Sequence, residues 1–302
     1  MTISFENRVA IVTGAGGGLG RAYALELAGR GAKVVVNDFG GSRDGTGGAS
    51  EAAEKVVAEI RAAGGTAIAD AGNVTKFEDM QALAKRTVEE FGRIDILINN
   101  AGILRDKSFA KMPLADFRLV LEVHVMGAVH CTQAVWNPMR ERNYGRIVMT
   151  TSCSGLYGNF GQANYAAAKM ALVGLMQTLG IEGAKHDIRV NCLAPTGATR
   201  MMEGILPADQ LALFKPELVS PGVLALVADN APNRAILSAG AGGFELAYIA
   251  LTQGIHLGEA ATAEAILERW VELSGREDDF VPSQGFDQAR HELHKAGFHA
   301  DP

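Results

Sequence analysis

The chain of 302 residues contains few cysteines and no excess of positive charge. Three cysteines, Cys131, Cys153 and Cys192, are too few and too scattered for a disulfide framework, and they lack metal-ligand spacing. We therefore interpret them as packing residues of a reducing compartment and expect no metal site. The formal net charge is −6, which argues against the basic footprint of a nucleic-acid-binding protein.

Long apolar runs and targeting segments are also missing from the sequence. No run of about 18 apolar residues occurs, so we expect no membrane span. Residues 1–7 lack the charged and apolar regions of a signal peptide, and the last residues match no peroxisomal or retention signal. We therefore expect a cytoplasmic protein. Hydrophobic residues make up 48% of the chain, which is enough to form a core and excludes a disordered chain.

Glycine, in contrast, is abundant, and it is concentrated near the start of the chain. Twelve of the 36 glycines fall within residues 1–48. Residues 13–20 read T-G-x-x-x-G-x-G, between an apolar run at 9–13 that predicts a buried strand and a helical pattern at 19–30. Such a loop lets backbone N–H groups at a helix N-terminus approach a pyrophosphate. The alternative is a glycine-rich turn that binds no ligand.

Strand and helix patterns then alternate along most of the chain. A β-branched strand at 33–38 completes a strand–helix–strand unit, and the same alternation continues through a strand at 188–193. This pattern predicts an α/β fold: a single doubly wound Rossmann-type domain over 1–250, with a parallel sheet covered by helices on both faces. Residues 251–302 form a C-terminal helical extension, with an amphipathic helix at 260–273, that is either packed on the domain or partly flexible.

Asp38 closes the second predicted strand, 24 residues after Gly14. A carboxylate at this position can accept hydrogen bonds from both ribose hydroxyls of a dinucleotide and repels a 2′-phosphate, so NAD is favoured over NADP. Arg43, in the following loop, could soften this preference. The alternative is a solvated aspartate at a strand end.

Tyr165 and Lys169 are four residues apart in a predicted helix and therefore share one face. Ser152 follows a predicted strand, 13 residues before the tyrosine, and would face the crevice at the strand ends. A nearby ammonium favours the phenolate and lowers the pKa of a tyrosine. Tyr165 could then take the proton of an alcohol as hydride leaves for a nicotinamide, while Ser152 hydrogen-bonds the substrate oxygen. The alternative is a pair of ordinary surface helix residues.

Five motifs follow one another along the chain: T-G-x-x-x-G-x-G at 13–20, N-N-A-G at 99–102, Ser152, Y-x-x-x-K at 165–169, and N-x-x-A-P at 191–195. In this order they resemble the motifs of the short-chain dehydrogenase/reductase family, and the resemblance covers about residues 5–245. The resemblance implies a seven-stranded parallel sheet, NAD(P)-dependent oxidation or reduction at CH–OH, and catalysis by Ser152, Tyr165 and Lys169. It also implies these cofactor contacts: Gly14, Gly18, Leu19, Asp38, Asn73, Val74, Asn100, Tyr165, Lys169, Gly197, Ala198 and Thr199. Asn73-Val74 stands where the family often has Asp-Val, so the adenine contact could differ.

Longer stretches around residues 36–41, 101–106 and 155–165 resemble the (3R)-hydroxyacyl-CoA dehydrogenase unit of the peroxisomal multifunctional enzymes of type 2. This resemblance implies oxidation of a (3R)-3-hydroxyacyl-CoA by NAD. The alternatives are a dehydrogenase or reductase of a steroid or other secondary alcohol, a 3-oxoacyl-carrier-protein reductase, and a nucleotide sensor without catalysis.

His124 stands where the family usually has an asparagine of a proton relay. A neutral imidazole can both accept and donate a proton in such a relay, but a hydrogen-bonded helix histidine without a catalytic role is an equal alternative.

For the substrate side we expect an apolar wall from Leu156, Tyr157 and Phe160, with Met201 and Met202 as a further candidate wall. A CoA ester is anionic, so the candidate cations are Arg105, Lys107 and Arg200. The apolar helical segments at 117–141 and 163–185 further suggest a homodimer or homotetramer, because helices at these positions pair between subunits in the family. The alternative is that packing on the sheet alone buries them.

Overall fold

The computed structural model describes residues 3–41, 51–197 and 207–298. Its centre is a sheet of apolar, largely buried strands, as expected for strands covered on both faces. The strands are β1 (Val9–Thr13), β2 (Lys33–Asn37), β3 (Thr66–Asp70), β4 (Ile96–Asn99), β5 (Gly145–Thr150), β6 (Ile188–Thr196), β7 (Ile236–Gly240) and β8 (Gly243–Ala247).

The strand order is β3-β2-β1-β4-β5-β6-β7-β8, and each pairing from β3 to β7 is parallel. The chain winds outward from β1 in one direction and then from β4 in the other, which confirms the predicted doubly wound fold. Crevices that bind ligands form at the carboxyl ends of the strands at such a reversal point. The reversal between β1 and β4 therefore places the loops after Thr13 and Asn99 side by side.

The sheet has one strand more than the seven that the family resemblance implied. β8 follows β7 after Ala241 and Gly242, whose φ angles of 49° and 80° are both positive. Positive φ at both central residues is the geometry of a tight hairpin turn, which joins antiparallel strands. The parallel sheet is thus extended at its edge by a hairpin strand.

Helices connect the strands and cover the sheet. They are α1 (Gly18–Gly29), α2 (Glu51–Ala62), α3 (Phe77–Phe91), α4 (Leu114–Leu121), α5 (Gly127–Arg142), α6 (Cys153–Tyr157), α7 (Ala163–Gly183), α8 (Ala208–Leu211), α9 (Ser220–Val227), α10 (Ala263–Glu268), α11 (Trp270–Leu273) and α12 (Phe286–Lys295). The main core lies where α1, α2 and α9 pack against the sheet, around Val12, Leu27, Ile96 and Val223. In the described ranges, no helix is both long and apolar enough to span a bilayer.

The single helix predicted over 117–141 is interrupted. Between α4 and α5 the chain forms a π-helical turn over Glu122–Met126, with the buried His124 at its middle. A π turn contains one residue more than an α-helical turn, and such turns are frequent at functional sites. The interruption places the His124 side chain against the segment that follows β4, where its ring nitrogen Nε2 lies 2.9 Å from the carbonyl oxygen of Ile103.

The chain divides into two compact units, Met1–Leu246 and Ala247–Pro302. Within the second unit, Leu251 and Phe280 form an antiparallel bridge, and helix α12 lies in a stretch for which the sequence predicted no element. The amphipathic helix predicted at 260–273 is split into α10 and α11 at Arg269. Leu267 and Trp270, two large apolar residues of the stretch predicted as an amphipathic helix, are 69% and 57% exposed.

Candidate active site

The glycine loop after β1 leaves no room for a side chain at Gly14, Gly16 or Gly20. Gly14 has φ +63°, and a Cβ there would lie 2.8 Å from the Cα of Ala101, while a Cβ on Gly20 would collide with the Gly14 carbonyl. The first turn of α1, with Gly18 and Leu19, therefore packs close to the loop and presents N–H groups that have no partner within the helix. This arrangement can hold an anionic pyrophosphate.

Hydrogen bonds of Asn100 and Thr13 connect this loop to the segment that follows β4. The Asn100 Nδ2 donates to the carbonyl oxygens of Thr13 and Gly14 at 3.0 and 3.1 Å. The Thr13 hydroxyl oxygen accepts hydrogen bonds from the backbone N–H groups of Asn100 and Ala101 at 3.0 and 3.1 Å. Asn100 thus lies next to the predicted pyrophosphate site, where it fixes the path of the backbone.

Asp38, which follows β2, also contacts the glycine loop. Its Oδ2 accepts a hydrogen bond from the N–H of Gly16 and its Oδ1 accepts one from the N–H of Gly40, both at 2.7 Å. Each carboxylate oxygen has a second lone pair, so the group can still accept hydrogen bonds from ribose hydroxyls. Arg43 lies outside the described residues.

Among the remaining predicted cofactor contacts, Asn73 and Val74 already use polar atoms in contacts within the protein. The Asn73 Oδ1 is used within its own turn, where it accepts from the backbone N–H and the hydroxyl of Thr75. Val74 is buried, and its carbonyl oxygen lies 2.9 Å from Nδ1 of His130. A Cβ on Gly197 would meet the side chain of Leu19 at 2.9 Å, so these two predicted contacts are neighbours. Ala198 and Thr199 lie outside the described residues.

Ser152, Tyr165 and Lys169 come together beyond the carboxyl end of β5. Ser152 is the N-cap of α6, where its hydroxyl oxygen accepts from the N–H of Ser154 at 3.2 Å. Tyr165 and Lys169 lie on α7, and the lysine Nζ is 5.4 Å from the centroid of the tyrosine ring. The same Nζ donates to the carbonyl oxygen of Thr150 at 2.6 Å, so the buried amine is anchored to the end of β5.

Burial is the main cause of the pKa shifts of Tyr165 and Lys169. It raises the pKa of Tyr165 to about 12, with Cys153 and Asp106 adding to the rise and the hydrogen bond from Ser152 opposing it. Burial also lowers the pKa of Lys169 to about 7. The four-residue spacing of Tyr165 and Lys169 predicted a lowered phenol pKa, caused by a nearby ammonium. In the structure the opposite direction holds, because both groups are disfavoured in their charged forms.

His124 packs against this pair. Its ring meets the Tyr165 ring edge-on, with 5.3 Å between the centroids and an interplanar angle of 88°. Its Nε2 faces the backbone of Ile103, while its Nδ1 is buried without a hydrogen-bond partner among the described residues. Burial and the charge of Lys169 hold the pKa of His124 well below its usual range. The imidazole is therefore neutral.

A small cavity lies between His124 and Lys169, with Asn99 and Val74 among its other lining residues. The Asn99 Oδ1, like the His124 Nδ1, is buried and has no partner in the part of the chain that the structure describes. Buried polar atoms of this kind are commonly satisfied by an internal water. Asn99 was not predicted in this role from the sequence, because only tertiary packing brings its side chain to the cavity.

The fold and the site define a nicotinamide-dependent oxidoreductase, in which a glycine loop, a serine, a tyrosine and a lysine lie at the carboxyl ends of the parallel strands. The comparison with known sequences agrees, since a sequence profile described as short chain dehydrogenase matches residues 8–210. The chain belongs to this family, whose members oxidise or reduce at CH–OH. Across residues 3–41, 51–197 and 207–298, no group of three or more His, Cys, Asp or Glu side chains could hold a metal ion.

Within this family, the chain is similar to the peroxisomal multifunctional enzymes. The chain is 47% identical over 284 residues to peroxisomal multifunctional enzyme A of Dictyostelium discoideum, a match that covers 94% of this chain and 64% of that protein. It is 46% identical over 275 residues to mouse peroxisomal multifunctional enzyme type 2, covering 90% of this chain and 37% of that protein. The chain therefore spans only a part of these relatives.

Solved structures agree with this similarity. The full-length peroxisomal multifunctional enzyme type 2 of Drosophila melanogaster superposes with a TM-score of 0.80 at 38% identity, over 97% of this chain and 50% of that one. A 7α-hydroxysteroid dehydrogenase in complex with NADH and 7-oxo glycochenodeoxycholic acid superposes with a TM-score of 0.71 at 31% identity, over 80% of this chain and 95% of that one.

Proposed function

We propose that this protein oxidises the hydroxyl group of a (3R)-3-hydroxyacyl-CoA to the 3-oxoacyl-CoA with NAD. The observation that carries the oxidation chemistry is the convergence of Ser152, Tyr165 and Lys169, of which Lys169 lines the same cavity as Thr13 at the start of the glycine loop. The substrate class is supported by relatives whose names include the multifunctional enzymes and a peroxisomal hydratase-dehydrogenase-epimerase of Saccharomyces cerevisiae, 47% identical over 280 residues.

The residues present fit a dinucleotide. The N-terminus of α1 would hold the pyrophosphate, and Asp38 would accept hydrogen bonds from the adenosine ribose and repel a 2′-phosphate. NAD is therefore preferred over NADP in this proposal. When bound, NAD⁺ accepts the hydride from the alcohol carbon, and its cationic ring favours the phenolate form of Tyr165.

Tyr165 then acts as the general base. The Ser152 hydroxyl hydrogen-bonds the substrate oxygen, and the Tyr165 phenolate takes its proton as the C–H bond breaks. Lys169 stabilises the phenolate through its charge, at 5.4 Å from the ring centroid. The alcohol thus loses a hydride and a proton, and a ketone remains.

His124 gives the proton a route away from this buried site. A water in the cavity between Lys169 and His124 would accept a proton from the ammonium and share it with the unpartnered Nδ1 of the imidazole. A neutral histidine suits this step, because it can accept at one nitrogen while the other donates.

The substrate side is apolar. Tyr157 and Phe160 follow Ser152 and are 72% and 91% exposed, so they are available to cover an acyl chain. Among the candidate cations, Arg105 forms an ion pair with Asp116 at 2.6 Å, whereas Lys107 is exposed. Arg200, Met201 and Met202 lie outside the described residues.

The exposed face of α7 would form the interface of a homodimer or homotetramer. It carries small or apolar residues at helical spacing, including Ala167, Met170, Gly174 and Ile181, and Ile181 is 48% exposed. Cytoplasmic residence stays a prediction.

Two other substrate classes are each supported by a similar protein. The solved hydroxysteroid dehydrogenase favours a steroid alcohol, and a 3-oxoacyl-[acyl-carrier-protein] reductase of Synechocystis is 43% identical over 209 residues. The deciding experiment is a panel of (3R)- and (3S)-3-hydroxyacyl-CoA esters, 3-oxoacyl-carrier-protein thioesters and hydroxysteroids, assayed with NAD(H) and NADP(H). We expect the highest kcat/KM for a (3R)-3-hydroxyacyl-CoA with NAD. A higher value for either rival class would overturn the proposal, and Tyr165→Phe tests the base itself.

A further inference from the structure

Gln162 immediately precedes α7 and is buried, with 8% of its surface exposed. Its side chain makes three hydrogen bonds to parts of the chain that are distant in sequence or lie in another turn. The Oε1 accepts from the Ser154 hydroxyl at 2.8 Å and from the Asn159 Nδ2 at 3.1 Å. The Nε2 donates to Oδ2 of Asp106 at 2.7 Å.

These partners connect Gln162 to both reacting hydroxyl groups. The N–H of Ser154 donates to the Ser152 hydroxyl oxygen, and the hydroxyl of the same Ser154 donates to Gln162. Tyr165 follows Gln162 by less than one helical turn. Asp106 belongs to the segment that also holds His124 through Ile103. Gln162 therefore stands at the start of the helix that carries Tyr165, and its carboxamide forms hydrogen bonds to Ser154 in α6 and to Asp106 in the segment after β4.

We propose that Gln162 is a positioning residue that fixes the Ser152 hydroxyl relative to the Tyr165 hydroxyl. The inference rests on the roles that the proposed function gives to these two residues. Gln162 does not touch the reacting atoms and acts only through Ser154 and the start of α7. Misplacement of reacting groups by about 1 Å can lower a rate by about 100-fold, so hydrogen bonds that fix the separation of the two hydroxyl groups have a large effect on the rate.

The polarity of the carboxamide matters as well as its size. Its oxygen faces two donors and its nitrogen faces a carboxylate, so each end has a partner of the opposite kind. Gln162→Glu keeps the oxygen that accepts from Ser154 but places a second carboxylate oxygen against Asp106. Adding Asp106→Asn inverts the pair, because the new amide can donate to the new carboxylate.

The kinetic test compares the wild-type protein with Gln162→Leu, Gln162→Glu and the double variant Gln162→Glu/Asp106→Asn. The probe is (3R)-3-hydroxyoctanoyl-CoA with NAD, and the dissociation constant for NADH is measured by fluorescence. We expect each single variant to lower kcat by about 30-fold while the NADH constant changes less than about twofold, and the double variant to recover at least about fivefold over Gln162→Glu. Gln81→Leu, at an exposed position on α3, is the matched control for the loss of a carboxamide.

The inference is overturned if Gln162→Leu retains kcat within about twofold of wild type, or if the double variant is no faster than Gln162→Glu. A general loss of folding would weaken NADH binding together with kcat, so a lowered kcat at an unchanged NADH dissociation constant separates positioning of the hydroxyl groups from a role in stability alone.

A second measurement needs no substrate, so it separates failure of this inference from failure of the proposed function. Hydrogen–deuterium exchange is followed in a peptide spanning residues 151–161 of the full chain. We expect faster exchange in both single variants and a return toward the wild-type rate in the double variant. Unchanged exchange in both single variants would overturn the inference, even if the wild-type protein oxidises none of the CoA esters.

Discussion

Replacing Lys169 by methionine removes the cation beside Tyr165 but keeps the length of the side chain. A full positive charge 5.4 Å from the phenol ring contributes about 3 kcal/mol at an effective dielectric constant of about 20, which is roughly two pKa units. Without this charge the phenol pKa rises. Oxidation requires the phenolate, so we expect kcat/KM for the alcohol to fall by about 100-fold at a pH below the phenol pKa.

The pH dependence of this loss follows from the lysine itself. Burial lowers the pKa of Lys169 to about 7, so its charge is fully present below that pH and is lost as the pH rises through it. The gap between the wild-type and Lys169→Met rates should therefore be widest below about pH 7 and narrow above it. In the variant, log kcat/KM should continue to rise to a higher pH before it levels off.

The assay is a pH–rate profile from pH 6 to pH 10, with the NADH dissociation constant measured at each pH. Lys185→Met, at an exposed lysine beyond the end of α7, is the control for the general loss of a charge and should behave as wild type. Superimposable profiles for Lys169→Met and the wild-type protein would refute the electrostatic role of Lys169.

Three further predictions concern the relay, the cofactor and the assembly. His124→Ala should lower the oxidation rate by about tenfold at an unchanged NADH dissociation constant, because the cavity loses a proton acceptor, and full turnover would remove His124 from the mechanism. Asp38→Asn should shift the ratio of kcat/KM for NADP to that for NAD by about tenfold toward NADP, and an unchanged ratio would contradict its role in selectivity. Ala171→Arg, on the exposed face of α7, should reduce the mass measured by light scattering, whereas an unchanged mass would exclude this face as the interface.

The parallel core was predictable because its strands are short apolar runs separated by helical patterns. The run at 9–13 and the glycine loop after it predicted β1 and the turn into α1, and both are present. The fold, the family and the oxidoreductase class are confirmed. The eighth strand was not predicted, because Ala241 and Gly242 form a hairpin turn that the family resemblance did not imply.

Other features depend on packing that a linear pattern does not carry. Apolar spacing at three and four residues does not reveal one inserted residue, so the π turn around His124 was interpreted as regular helix. The shift of the Lys169 pKa depends on how completely the fold buries that amine. Gln162 has no signal of its own, because its three hydrogen-bond partners come from two other segments. The roles of the predicted site residues stay predictions until the variants are measured.

The extra residue at Glu122–Met126 also separates the two helices that it joins. Each residue advances an α-helix by about 100°, so a one-residue insertion rotates the faces of α5 by that angle relative to those of α4. α4 packs on α7, whereas α5 packs on α3. The two helices can thus pack against different neighbours. If one residue were deleted here, α4 and α5 would form one regular helix, and the face of α5 that packs on α3 would be rotated away from it.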